Sequence, residues 1–172
     1  MKNYFSIFVI SLVLFACNKN QPESAPALLS NPKQGFDKAT SEPPITISEK
    51  LGEFHSCNID SINDSVAKDS LLIPDKSKFK MAGWSANVTT GESPKDIFIE
   101  FDGPTKKYIK LLRGLKRPDV AASYKNPVLE NSGWEVYVDL SDTQAGEYKM
   151  RIIQIEKDNV LICKPKRSIV LN

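Results

Sequence analysis

This sequence predicts an all-β fold: an immunoglobulin-like antiparallel β-sandwich with one short helical turn. Three observations carry the expectation. Short segments in which apolar and polar residues alternate recur from about residue 54 onward. Turn-forming residues such as Asp102-Gly103 separate them. No interval between them is long enough to hold the repeated crossover helices of a parallel α/β sheet.

The strands follow in order. Phe54 to Asn63 carries Cys57 and Ile59 in alternation, and the apolar run Leu71-Leu72-Ile73 ends at Pro74. Phe79 to Trp84 starts a further alternating segment, and Ile97 to Phe101 runs into the Asp102-Gly103 turn. Tyr108 to Leu115 is another strand, and Trp134 to Leu140 is the clearest period-two run in the chain. Tyr148 to Ile155 and Val160 to Cys163 follow, with Asp158-Asn159 as the hairpin turn between them. Ser168 to Leu171 extends the last strand. Between the strands, Pro118 to Tyr124 places proline at a natural first helical position, followed by good helix formers. Tyr148 stands just before its strand, where immunoglobulin-like folds often use a tyrosine whose hydroxyl bonds back upstream. The alternative is a half-exposed strand tyrosine.

The N-terminus has a different character. After Met1-Lys2-Asn3, an almost wholly apolar run from Tyr4 to Phe15 falls short of the ~20 residues a membrane-spanning helix needs, and fits a secretory signal. Leu14-Phe15-Ala16-Cys17 resembles the lipobox of bacterial lipoproteins, although Phe15 stands where a small polar residue is more usual. The resemblance implies cleavage after residue 16 and diacylglyceryl transfer to the Cys17 thiol. Acyl chains bind membrane with about 0.8 kcal/mol per buried methylene. Asn18, in place of the aspartate that retains such proteins in the inner membrane, implies the outer membrane in a Gram-negative host. Residues 17–50 are polar and interrupted by Pro22, Pro26, Pro32, Pro43 and Pro44, the composition of a flexible tether. The sandwich is expected over residues 51–172, with a strand at Ile45 to Ile47 as the variant that would move its start.

Twenty-three basic and 21 acidic side chains give a net charge of +2, which implies no long-range field for nucleic acid. Three cysteines become two once Cys17 is lipidated. Cys57 and Cys163 are then expected to pair in an oxidising envelope, closing a loop of about 100 residues worth roughly 4–5 kcal/mol in the chain-entropy model. Two separate buried thiols are the alternative. No metal site or cofactor is expected, because His55 is the sole histidine, no CxxC pair exists and no glycine-rich phosphate loop is present. Nor is an enzyme. Glu100 and Asp102 share a strand face beside a turn, the usual setting of solvated acids, and a histidine-dependent nucleophile would have to rely on His55 alone.

Four short motifs stand in order: Gly83-Trp84-Ser85, Phe101-Asp102-Gly103, Arg117-Pro118-Asp119-Val120-Ala121 and Asn131-Ser132-Gly133-Trp134. Together they resemble a small β-sandwich module attached to bacterial membrane proteins and glycosyltransferases of surface-polysaccharide pathways. The resemblance covers roughly residues 55 to 170 and implies no catalytic residues. This chain shows neither a transferase domain nor membrane helices beside the module. Trp84 and Trp134 are expected in the core, with Tyr124 and Tyr137 as aromatics available for contact. Lys106, Lys107, Lys110, Arg113 and Arg117 make one segment strongly basic, suited to anionic polysaccharide, to lipid headgroups or to protection of a strand edge. Arg117 and Asp119 are expected to hold the helical turn. The functional expectation is a non-catalytic, lipid-anchored envelope module that docks a protein partner. Recognition of surface carbohydrate is the alternative, and glycan hydrolysis comes last.

Overall fold

The computed structural model describes residues 35–44, 51–53, 56–91, 94–156 and 159–172. The signal segment, Cys17, the tether up to residue 34, Ile45 to Ile47, His55 and Asp158 lie outside them. Strands are labelled in chain order. One sheet comprises β1 (Asp37–Lys38), β3 (Cys57–Ile62), β4 (Ser65–Val66), β6 (Phe79–Ser85), β9 (Leu112–Leu115) and β10 (Gly133–Asp139). The other comprises β2 (Leu51–Glu53), β5 (Ser70–Ile73), β7 (Asp96–Asp102), β8 (Lys106–Lys110), β11 (Gly146–Glu156), β12 (Asn159–Cys163) and β13 (Ser168–Leu171). The two pack face to face as the expected all-β sandwich. Among the described residues, one helix, α1 (Pro118–Ser123), and a 3-10 turn, Pro127–Asn131, interrupt the strands.

Alternation decides which side chains meet in the middle. Phe79, Met81, Trp134, Val136 and Val138 point inward from the first sheet. Ile97, Ile99, Phe101, Tyr148, Met150 and Ile152 answer them from the second. Each such burial stabilises the fold by about 1.5–3 kcal/mol relative to exposure. Covalent chemistry joins the layers too. Cys57 opens β3 and Cys163 closes β12, and the predicted disulfide links them with a Cα–Cα separation of 6.3 Å.

β11 organises the second sheet. Along one edge it pairs with β7 from Lys149↔Asp102 to Ile155↔Asp96. Along the other it changes partner: β13 takes Gly146 to Lys149, and β12 takes Ile152 to Glu156. Tyr148 is fully buried there, and its hydroxyl donates to the Gln144 carbonyl at 2.8 Å, the upstream bond expected of it.

Four expectations need correction. Tyr108 to Leu115 is two strands in different sheets, because buried Leu111 follows β8 and the chain then crosses to β9. An alternating pattern is the same in either sheet and so conceals a crossing. Ser168 to Leu171 does not extend β12; residues 164–167 intervene, and β13 pairs separately with β11. Part of the stretch assigned to the tether joins the sandwich: β1 runs parallel to β10, Ala39 is buried, and Thr40 exchanges backbone bonds of 2.9 and 2.8 Å with Tyr108. Two-residue strands carry no period to read. Finally, Trp84 lies outside the main core. Inward Phe79, Met81, Gly83 and Ser85 put Trp84 on the outer face with Lys80 and Ala82.

Candidate functional site

The outer face of the first sheet carries a cap built from residues 117–131. Pro118 starts α1, and Tyr124 closes it by donating its backbone N–H to the carbonyls of Ala122 and Val120. The Asn126 side chain then accepts from the Val128 N–H at 3.1 Å and caps the 3-10 turn, which Pro127 begins. The Arg117 N–H donates to the Glu130 carbonyl at 2.6 Å, so the two ends of the cap are tied together. Beneath it Ala86, Val120 and Leu129 are buried, with Trp84, Val88 and Ala121 packed against them.

Arg117 fastens this cap to the sheet. Its guanidinium reaches Asp60 on β3 at 2.5 Å and grips Asp119 with bonds of 2.9 and 2.6 Å. The expected local Arg117–Asp119 contact is therefore half of a longer clamp. The hydrogen bond to Asp119 and then the one to Asp60 reinforce the charge of Arg117 against its partial burial. The same bond holds the Asp119 carboxyl down at about 2. Gly133 makes room for the clamp, since a Cβ there would come within 2.9 Å of the Arg117 Cγ. Gly83 does the same inside the sandwich, where a Cβ would meet the Trp134 ring at 2.6 Å. Three of the four motifs singled out in the sequence thus converge on this cap and the strands under it.

What the cap leaves exposed is aromatic and aliphatic. Trp84 and Tyr124 meet edge to face with ring centroids 5.6 Å apart. Tyr124 remains 43% exposed and Val128 58%. Arg113 borders Val128, and exposed Lys125 follows Tyr124. Of the candidate binding residues, Arg117 and Tyr124 belong to this cap, and Arg113 borders it at Val128. Trp84 joins them, a placement readable from the alternation that begins at Phe79.

The other candidates are dispersed. Lys106 projects from the outer face of the second sheet, 3.3 Å from Glu100 and 3.6 Å from Asp102. Its hydrogen bond to Glu100 favours the protonated amine. Lys107 is only 7% exposed and turns to Asp142 at 3.4 Å, so it belongs to the sandwich margin rather than to an accessible basic surface. Lys110 pairs with Asp96 at 2.6 Å. Tyr137 is covered by Phe36, edge-on at 5.6 Å, and by the Lys80 ammonium at 5.6 Å. Glu100 and Asp102 share a face as expected, and Arg151 bridges both, at 3.1 and 2.5 Å. The basic run of the sequence is thus largely neutralised across two sheets.

No known family model matches the chain, and no curated protein matches its sequence.

In chemical terms, the cap presents Tyr124, backed by half-buried Trp84, and a valine, with cationic groups nearby. Such a surface binds by burial of apolar area. The carboxylates of the opposite face are engaged by arginine and lysine in a structural network.

Proposed function

We propose that the mature chain is a lipid-anchored, non-catalytic module of the cell envelope that docks a protein partner through the cap on the first sheet. The observation that carries this reading is Tyr124, 43% exposed and backed edge to face by half-buried Trp84, with Val128, 58% exposed, on the same cap. Tryptophan and tyrosine are prominent in the binding energy of protein interfaces, and here Tyr124 of the cap stands against Trp84 of β6. Arg113, which borders Val128, and Lys125, which follows Tyr124, fit a partner surface whose apolar pocket is ringed by carboxylates. The Cys57–Cys163 disulfide supports export to an oxidising compartment, in keeping with the signal-like N-terminus. Lipid on Cys17 supplies the anchor, and an outer-membrane location follows from Asn18 if the host is Gram-negative.

Two experiments test it. A photo-crosslinking residue placed at Tyr124 in cells is expected to give a discrete protein adduct, while one at Tyr137 gives none. A ladder of glycan-positive adducts from Tyr124 would instead establish surface-carbohydrate recognition, and no adduct at either position would remove the docking surface. Metabolic labelling with palmitate is expected to mark the chain and to be lost in Cys17→Ser; unchanged labelling would refute the anchor.

A further inference from the structure

On the opposite outer face, that of the second sheet, lies a cleft of about 440 Å³. Its origin is the change of partner along β11. β12 leaves at Ile152↔Cys163 and β13 arrives at Lys149↔Ser168, so residues 164–167 stand away from the ladder. They are pinned rather than loose: the Met150 N–H donates to the Arg167 carbonyl at 3.2 Å, and the Arg167 N–H donates to the Pro165 carbonyl at 2.6 Å. The Arg167 guanidinium is ion-paired with Asp69 across the cleft mouth.

Charge inside the cleft is unbalanced. Lys149, Arg151, Lys166 and Arg167 line it, against Asp69, Asp102 and Glu147. The acids are not evenly opposed to the bases. Asp102 is engaged by Arg151 at 2.5 Å and Asp69 by Arg167, whereas the ammonium groups of Lys149 and Lys166 stand exposed at the rim. The Arg167 Nε–H is buried without a hydrogen-bond acceptor of its own, whereas buried donors are ordinarily satisfied. A volume in the range of small-molecule sites, with fixed donors and surplus positive charge, selects a small ligand carrying an oxyanion.

We infer that this cleft binds the anionic group of a small carboxylate- or phosphate-bearing ligand. Lys149, Lys166 and Arg167 receive the anion, and Arg151, locked by Glu100 and Asp102, forms a rigid floor. The site is independent of the docking cap, which lies on the other sheet.

Amide chemical-shift titrations of the purified protein with inorganic phosphate, galacturonate and neutral galactose test the inference. Phosphate or galacturonate is expected to give saturable shifts centred on Lys149, Lys166, Arg167 and Ser168, weakening as salt is raised. Saturation by phosphate alone marks a phosphate site, and saturation by galacturonate alone marks a carboxylated-sugar site; either supports the inference. The double variant Lys149→Ala/Lys166→Ala is expected to bind at least 10-fold more weakly, while Lys78→Ala, at an exposed lysine just before β6, binds unchanged. Because both lysines are exposed, the variant should keep its fold, which its unaltered core amide shifts would verify. Absence of saturation by either anion, equal binding of galactose, or full affinity in the double variant would overturn it.

Discussion

Each outer face of the sandwich is centred on one arginine that bridges two carboxylates, and the two do different work. Arg117 reaches from the cap to Asp60, 57 residues away in sequence, while also holding its near neighbour Asp119. Arg151 takes both partners, Glu100 and Asp102, from the adjacent strand β7. The first arginine fastens a separate piece of structure onto a sheet. The second compensates charge within a sheet, where Glu100 is only 3% exposed. Burial separates their energetics. Removing one partner of a buried pair leaves an uncompensated charge, whereas an exposed partner such as Asp119 returns to water.

The largest effect lies beneath both faces. Replacing Cys57 and Cys163 by serine opens a loop of 106 residues and is expected to cost up to about 5 kcal/mol, read from urea unfolding of oxidised protein and variant. Equal stability of the two would mean that the layers hold by packing alone. Next comes Arg151→Met, expected to lose about 3 kcal/mol because, among the described residues, the buried Glu100 then keeps Lys106 and Tyr108 as partners. Arg117→Met should lose less, about 1–2 kcal/mol, and should loosen the cap selectively, seen as faster amide exchange in residues 118–131 than in the core strands. If Arg117→Met proved the costlier change, the contrast between the faces would be reversed.

Two smaller effects sharpen the picture. Tyr148→Phe removes the hydroxyl bond to Gln144 and should cost about 1 kcal/mol in the same unfolding assay. The Asp119 carboxyl, held at about 2 by Arg117, ionises more readily folded than unfolded, where its value is 3.8. Its contribution is therefore fully present above about pH 4 and is lost as pH falls toward 2. Acid titration by NMR should show the Asp119 transition near 2 in the native chain and near its ordinary value in Arg117→Met.

Much of the fold was legible in the amino-acid order, because period-two alternation reports which side chains share a face. Tyr148, the Cys57–Cys163 pair and the helical turn at Pro118 were readable for the same local reasons. Alternation does not report which sheet a strand joins, so the crossing at Leu111 was hidden. It does place Trp84 outward with Lys80, a signal that the Gly-Trp pairing with Trp134 obscured. The candidate site was harder, because a charge declares itself but its partner does not. Lys107 and Lys110 sit in a basic run, yet Asp142 and Asp96 meet them only through the tertiary fold. The cleft at residues 164–167 was invisible for a related reason: it arises where β11 exchanges one neighbour for another, and no residue pattern marks that exchange.

The position of the disulfide has a mechanical consequence. Cys57 and Cys163 sit at the outer ends of β3 and β12, so every strand from β3 to β12 lies within the covalent loop. A tension applied between the two chain ends passes through the sulfur bridge and bypasses that whole region. Only β1, β2 and β13 can be peeled away before the load reaches a bond that does not yield to thermal forces. The cap and most of the core would thus stay folded under a steady pull, while the extensible length is limited to the segments flanking the bridge.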